Sequence, residues 1–287
     1  MMPPISSATR FIFVIGDPIE HSLSPIFQNA ALRNAGIDAV YLAARVESRD
    51  LENAVRGLSH LGCMGLNVTM PHKVPIMDYV DGLDESARSA GAVNTVKNAD
   101  GKLTGYNTDI FGVSEALMRA GFRSGGDKAV VLGAGGAARA TCIALRKFSR
   151  EIVIVNRTYE TALELAAKLR GQGMIAEAVK WDELPRALEG TSLIINTTSR
   201  GMHPAIDDSP VTKEQLRPEM TVLDLIYYPW RTRLLRDAES MGSRTITGLD
   251  VLVHQGAESF RIWFDREPDV KLMMATATEA ARARETV

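Results

Sequence analysis

Short apolar runs alternate with amphipathic stretches along most of the chain. In the first third, Phe11–Ile15, Tyr41–Ala43 and Gly65–Val68 predict strands, and Pro25–Ala35 and Leu51–Leu61 predict helices. Apolar runs this short, separated by helices, are typical of parallel strands that are covered on both faces. The pattern therefore predicts an α/β unit.

The same pattern begins again near residue 129. The next buried strands are predicted at Ala129–Leu132, Ile152–Val155, Leu193–Asn196 and Thr221–Asp224. A helix is predicted from Thr161 to Arg170, where apolar side chains recur on one face. A final helical stretch runs from Leu249 to Asp265 and beyond, and we expect it to pack on the first unit. The chain is thus predicted to form two α/β domains, 1–109 completed by 248–287, and 110–247.

Composition narrows the possible functions. The 287 residues are 45% hydrophobic and 24% charged, as in a globular protein, and the net charge of -2 gives no basic footprint for nucleic acid. Only Cys63 and Cys142 are present, too few for a disulfide scaffold, which indicates a reducing compartment. The chain lacks a signal-peptide pattern and an apolar run near the ~20 residues that span a bilayer. We expect a cytoplasmic protein that binds a small molecule or catalyses a reaction and has no membrane partner and no metal site.

A glycine-rich turn opens the second unit. Gly133-Ala134-Gly135-Gly136-Ala137-Ala138 follows a predicted strand directly and precedes a predicted helix, Arg139–Lys147. This is the G-x-G-x-x-G/A fingerprint in its required context. Gly133 allows the tight turn, Gly135 lets the backbone approach a pyrophosphate, and Ala138 permits close helix–strand packing. The sequence therefore predicts a dinucleotide site, with phosphates at the helix N-terminus.

The end of the next strand indicates which dinucleotide binds. NAD-binding proteins place an acidic residue there, but Ile152–Val155 is followed by Asn156, Arg157 and Thr158. An arginine suits a 2′-phosphate, so NADP is preferred over NAD. The alternative is that Arg157 is a solvated charge and Thr158 a helix cap.

Polar clusters lie at the ends of predicted strands in the first unit. In the first cluster, Ser24 before Pro25 is the expected N-cap of a helix, and Ser22 is not needed for that cap. The two serine hydroxyls could together hold a carboxylate.

Two further clusters run from Asn67 to Lys73 and from Asn94 to Asp109. Lys73 is either a solvated lysine or a reactive group, and Asp109 either caps a helix or pairs with Lys73. If they meet, the pair could shuttle a proton. His72 is given no catalytic role.

In combination, these residues resemble the shikimate dehydrogenases over nearly the whole chain, in the same order and spacing. The matching motifs are GDPIEHSLSP at 16–25, NVTMPHK at 67–73, AGAVNT at 90–95, GYNTD at 105–109, GAGGA at 133–137, NRT at 156–158, DLIY at 224–227 and LVHQGA at 252–257.

The resemblance implies an NADP(H)-dependent oxidoreductase that reversibly reduces 3-dehydroshikimate to shikimate, a step towards the aromatic amino acids. It implies an N-terminal α/β substrate domain, a Rossmann-type doubly wound NADP domain, and a C-terminal helix that returns to the first domain. Lys73 and Asp109 would be the catalytic pair, and Ser22 and Ser24 would bind the substrate carboxylate. The ring hydroxyls would contact Asn67, Thr69, Asn94, Asp109 and Gln255, with Tyr227 nearby. The predicted cofactor-binding residues are Gly133, Ala134, Gly135, Gly136, Ala137, Asn156, Arg157, Thr158, Thr197 and Gly248.

One departure and two alternatives bear on this interpretation. Thr161 stands where many members of the family carry a second arginine, which weakens the case for strict NADP selectivity.

One alternative is a quinate/shikimate dehydrogenase that also uses NAD. The other is a non-catalytic NADP or shikimate sensor, whose mark would be the loss of Lys73 or Asp109, and both are present. The sequence allows a monomer or a homodimer.

Overall fold

The computed structural model describes residues 5–122 and 127–285, and these form two compact units. The first unit comprises residues 5–112 together with Val253–Arg284. The second comprises Val113–Leu252 and Glu285. Both units are α/β, as predicted.

The first unit is built on a six-stranded sheet of order β2-β1-β3-β5-β6-β4. Its elements are β1 Arg10–Gly16, α1 Ser24–Asn34, β2 Ala39–Arg45, α2 Leu51–His60, β3 Gly65–Val68, β4 Gly82–Leu83, α3 Glu85–Ala90, β5 Thr95–Ala99, β6 Lys102–Tyr106 and the start of α4, Asp109–Arg119.

The predicted strands β1, β2 and β3 are parallel, but the sheet as a whole is mixed. β5 lies antiparallel to both β3 and β6. β5 and β6 were not predicted because their sequences, TVKNA and KLTGY, are largely polar, and each strand has exposed positions. A half-solvated strand lacks the continuous apolar run of a strand that is buried on both faces.

The start of α1 differs from the prediction. Ser24 is the first helical residue rather than the N-cap, and its side chain makes no capping hydrogen bond. Instead, Ser22 Oγ accepts the Ser24 N–H at 3.3 Å. The prediction that Ser24 is the N-cap is therefore wrong: the N-cap position is Leu23, whose side chain cannot cap, and α1 already includes Ser24.

The final helical stretch is two helices, α9 Gly248–Phe264 and α10 Val270–Glu285, separated by residues 265–269, of which Asp265 has a φ of 51°. As predicted, this part of the chain returns to the first unit. Trp263 Nε1 donates to Val96 O at 2.9 Å, and a Cβ at Gly65 would lie 2.2 Å from that Nε1. Glycine at position 65 thus lets α9 approach the sheet closely.

The second unit has a fully parallel six-stranded sheet of order β12-β11-β10-β7-β8-β9. Its elements are β7 Asp127–Leu132, α5 Gly136–Leu145, β8 Ser149–Asn156, α6 Tyr159–Gly171, β9 Ile175–Lys180, α7 Leu184–Ala187, β10 Thr191–Asn196, β11 Thr221–Asp224, α8 Arg233–Ser240 and β12 Arg244–Ile246. From β7, the chain adds strands first on one side of the sheet (β8, β9) and then on the other (β10, β11, β12), so the topological switch point lies between β7 and β10. In open α/β sheets, ligands bind at the carboxyl ends of the strands at such a point.

Within the described ranges, none of the helices combines the length and the apolar character needed to span a bilayer.

Candidate active site

Two loops of the first unit leave the same edge of the sheet. β1 and β3 are parallel neighbours, with Ile15 opposite Val68, so the segments after them start side by side. The Asp17 N–H donates to Met70 O at 3.0 Å. A Cβ at Gly16 would lie 2.3 Å from Thr69 Cγ2, so glycine is required for this approach.

Lys73 and Asp109 meet at this edge. Lys73 Nζ lies 2.5 Å from Asp109 Oδ2, and their side chains are only 19% and 14% exposed. The backbone at Lys73 is anchored because its carbonyl accepts the Val93 N–H at 2.7 Å. Limited exposure reduces solvent screening, so the Coulombic attraction between the two charges is stronger than in a fully exposed ion pair.

Asn94 binds the other carboxylate oxygen of Asp109. The Thr108 N–H donates to Asn94 Oδ1 at 2.7 Å, which sets the orientation of the amide. Asn94 Nδ2 therefore faces Asp109 Oδ1 at 2.8 Å, and it also lies 3.2 Å from Gln255 Oε1. The structure thus brings Lys73, Asn94, Asp109 and Gln255 together.

Both the oxygen and the nitrogen of the Asn67 side-chain amide form hydrogen bonds within the protein. Its Oδ1 accepts the Tyr41 hydroxyl at 2.6 Å. Its Nδ2 faces Asn94 O at 3.1 Å, Thr95 Oγ1 at 3.0 Å and Ser259 Oγ at 3.0 Å. Three acceptors already share two amide protons, so only the second lone pair of Oδ1 remains for a ligand.

The loop before α1 carries the two serines. Ser24 is buried, and its Oγ forms no hydrogen bond with the described residues. Arg284 donates to the carbonyls of His21 and Ser22, at 2.6 and 3.5 Å, and so ties α10 to this loop. The hydroxyl of Ser24 thus keeps its hydrogen-bonding capacity for a ligand.

The glycine-rich turn of the second unit has the geometry of a phosphate cradle. Gly133 has a φ of 110°, and a Cβ there would lie 2.5 Å from Thr197 Oγ1. Thr197 Oγ1 donates to Leu132 O at 2.6 Å, so the loops after β7 and β10 are joined. A Cβ at Gly135 would meet nothing within 4 Å, and α5 begins at Gly136. The open side of the turn and the helix N-terminus fit a dinucleotide phosphate.

The end of β8 carries the residues predicted to select the nucleotide. Arg157 and Thr158 are exposed, and Asn156 Nδ2 donates to Thr158 O at 2.9 Å. Arg157 has no ion-pair partner among the residues that the structure describes. Thr158 precedes α6, but its side chain makes no capping hydrogen bond. At Gly248, a Cβ would lie 2.4 Å from Leu225 O, so glycine is required there.

Asp224 is a buried carboxyl that sequence reasoning did not single out. It accepts hydrogen bonds from Asn196 Nδ2 at 3.0 Å, the Ile226 N–H at 3.1 Å and Thr232 Oγ1 at 2.7 Å. Burial raises its pKa from 3.8 to about 7, despite these three donors. The network fixes the segment before Tyr227, which is half-buried in the second unit.

The raised pKa of Asp224 should make the free energy of unfolding depend on pH. Because the folded protein holds the Asp224 proton more tightly than the unfolded chain, its stabilising contribution is complete below about pH 4 and is lost as the pH rises to about 7. Asn at this position mimics the protonated acid, since Nδ2 can donate to Thr232 Oγ1. We expect the unfolding free energy of wild type to fall relative to Asp224→Asn by up to about 1.4 kcal/mol per pH unit. Urea denaturation of both proteins at pH 4–8 measures this, and a constant difference would contradict it.

Three family models match the chain. They describe a shikimate dehydrogenase substrate binding domain at residues 14–96, a shikimate/quinate 5-dehydrogenase at 115–226 and a shikimate 5′-dehydrogenase C-terminal domain at 248–278. An NADP(+) shikimate dehydrogenase of Methanocaldococcus jannaschii is 44% identical over 274 residues, covering 94% of this chain and 96% of the relative. The chain belongs to the shikimate dehydrogenase family.

Solved structures of shikimate dehydrogenases agree with this assignment. A crystal structure of one in complex with NADP+ has a TM-score of 0.90 at 39% identity and covers 98% of this chain and 99% of that chain. The Thermus thermophilus enzyme in complex with NADP(H) and shikimate has a TM-score of 0.85 at 35% identity, covering 95% and 100%. The fold predicted from the family resemblance is confirmed.

The sequence analysis did not single out Tyr41 and Ser259, which form buried hydrogen bonds with Asn67. Thr95 and Thr108, which also bond to this network, belong to the predicted cluster from Asn94 to Asp109 but were given no role. The available signal was the spacing of Ser259, four residues after Gln255, which places both on one helix face. His72 is buried, and its Nε2 lies 2.7 Å from Val46 O, which is a structural contact.

Proposed function

We propose that this chain catalyses the NADPH-dependent, reversible reduction of 3-dehydroshikimate to shikimate. Its family membership supports the substrate and the cofactor. The observation that carries the chemistry is the 2.5 Å contact between Lys73 Nζ and Asp109 Oδ2, with Asn94 bonded to the other carboxylate oxygen.

Each of the two units would bind a different molecule. We propose the first unit as the substrate-binding catalytic domain and the second as the NADP-binding domain. Gly133, Gly135 and the N-terminus of α5 would hold the pyrophosphate, and Arg157 would pair with the 2′-phosphate. When bound, NADPH supplies the hydride that reduces the ketone.

Reduction of a ketone also requires a proton at the developing alkoxide. Lys73 Nζ carries three N–H groups, of which one faces Asp109, so the others can donate to the substrate oxygen. The ammonium charge also stabilises that oxygen as negative charge develops. Asp109, held by Asn94, keeps Lys73 in place and shares the transferred proton.

We propose that Ser22 and Ser24 bind the substrate carboxylate. Loss of either hydroxyl should raise the shikimate KM, since a hydrogen bond to a charged group contributes ~1.5–3 kcal/mol. The structure separates their effects on stability. Ser22→Ala removes the acceptor of the Ser24 N–H and should lower Tm slightly, whereas Ser24→Ala removes no capping bond and should not. Steady-state kinetics and thermal melts of both variants measure this, and a larger Tm loss for Ser24→Ala would contradict the assignment.

One assay tests the function. Purified protein with shikimate and NADP should generate the absorbance of NADPH, at a higher kcat/KM than with quinate or with NAD. Higher kcat/KM with quinate and NAD would favour the quinate/shikimate alternative. Binding of NADP or shikimate without turnover would favour the sensor.

We also infer a cytoplasmic location and a monomeric or dimeric state. Cys63 and Cys142 are unpaired and buried, and burial raises their pKa values to about 11 and about 12, so both thiols remain protonated at neutral pH. Light scattering coupled to size-exclusion chromatography measures the oligomeric state.

A further inference from the structure

Ser259 lies at the meeting point of the buried hydrogen bonds in the first unit. Its Oγ is 3.0 Å from Asn67 Nδ2, 2.9 Å from Thr95 Oγ1 and 3.2 Å from Thr108 Oγ1. It also donates to Gln255 O, one turn earlier on α9, at 3.1 Å. The side chain has no solvent exposure. One hydroxyl therefore joins β3, β5, the residue before α4 and α9.

The chemistry of the partners fixes the direction of two of these bonds. Asn67 Nδ2 can only donate, so Ser259 Oγ accepts from it, and Gln255 O can only accept, so it takes the Ser259 proton. The second lone pair of Ser259 Oγ then accepts from Thr95 or Thr108. Ser259 Oγ thus accepts from two buried donors, and without it these donors must share the remaining acceptors around Asn67 and Asn94.

The network continues from Ser259 to Asp109. Thr95 Oγ1 and Thr108 Oγ1 lie 3.0 and 3.1 Å from Asn94 Oδ1, which also accepts the Thr108 N–H. Because each hydroxyl has one proton, one of the two donates to Asn94 Oδ1 while the other donates to Ser259 Oγ. These bonds fix the Asn94 amide with Nδ2 directed at Asp109. A shift of Thr95 or Thr108 would therefore change the position of the carboxylate that binds Lys73.

We propose that Ser259 is a positioning residue. Through Thr95, Thr108 and Asn94, it holds the carboxylate of Asp109 within hydrogen-bonding distance of Lys73 Nζ. This inference rests on the proposed function. Ser259 does not contact the reacting atoms. It restricts the conformations of the buried side chains of Thr95, Thr108 and Asn94, which in turn fix the position of Asp109. Misplacement of catalytic groups by about 1 Å can cost ~10²-fold in rate.

The test is a kinetic comparison of wild type and Ser259→Ala at a temperature where both are folded. We expect kcat for shikimate oxidation to fall ~10–100-fold. The Kd for NADP should stay within about twofold, because the turn that we propose for NADP lies in the other unit. A second variant, Tyr41→Phe, removes the hydrogen bond to Asn67 Oδ1 with almost no change in volume and should lower kcat in the same direction. Because both variants act on Asn67, their effects should be non-additive in the double variant.

Thr276→Val is the matched control. Thr276 Oγ1 makes the same type of bond, to Leu272 O at 2.8 Å on α10 of the same unit, and takes no part in the network around Asn67. Its loss should leave kcat unchanged. A lower Tm for Ser259→Ala with unchanged kcat would show a purely structural role and overturn the inference. If that variant does not fold, unchanged kcat in Thr95→Val, which removes the hydroxyl between Ser259 and Asn94 with little change in volume, overturns it. A wild type that fails to oxidise shikimate would instead overturn the proposed function.

Discussion

Lys73→Ala and Asp109→Asn are each expected to lower kcat by ~10²–10⁴-fold, the range for loss of an acid–base partner. Lys73→Ala removes the proton donor and the charge that stabilises the developing alkoxide. Asp109→Asn keeps the shape but removes the charge that holds Lys73 Nζ at 2.5 Å. Steady-state kinetics with shikimate and NADP measure both effects, and shikimate binding to Lys73→Ala should weaken much less than kcat falls.

The double variant separates a coupled pair from two independent groups. Because the two residues act as a unit, removing both should be no worse than the poorer single change. Arg56→Ala is a matched control, since it breaks an exposed ion pair with Glu52 at 2.8 Å in the same unit and should leave kcat unchanged. Near-native kcat in either single variant would contradict the assignment of the pair.

Arg157→Ala is expected to raise the KM for NADP by roughly 10–150-fold and to change the KM for NAD little. Only NADP carries the 2′-phosphate, and a charge-assisted bond at an exposed strand end contributes ~1.5–3 kcal/mol. Arg157 has no ion-pair partner among the described residues, so its guanidinium remains available. The measurement is kcat/KM for both cofactors in wild type and variant.

Further changes sharpen this test. Thr161→Arg, which adds a cation on α6, should tighten NADP, and the wild-type preference for NADP should shrink as ionic strength rises. Arg150→Ala is the matched control, because Arg150 is an exposed arginine near the other end of β8. A parallel loss of kcat/KM with NADP and NAD in Arg157→Ala would show that Arg157 supports the adenine or the fold instead.

The strands most easily predicted were those buried on both faces. β3 was predicted with its observed bounds, and β7 was predicted within two residues, because a short, mostly apolar run next to glycine is typical of a buried strand. β5 and β6 escaped prediction because hydrogen bonding to their neighbours, rather than their own hydrophobicity, makes them strands. The two-helix C-terminus was predicted as one stretch, since the break at Asp265 is a local backbone conformation.

The sequence by itself determined the α/β class, the glycine-rich turn and the residue types at the strand ends, because these depend on local periodicity and on short motifs. Only the tertiary structure decided which of these residues meet. Lys73 and Asp109 are 36 positions apart, and Asn67 and Ser259 are 192 apart, so their contacts require the sheet and α9 to be in place. The orientation of Asn94 likewise depends on the backbone N–H of Thr108, which only the folded chain positions. A buried polar side chain takes its role from the donors and acceptors around it, and distant segments of the chain supply them.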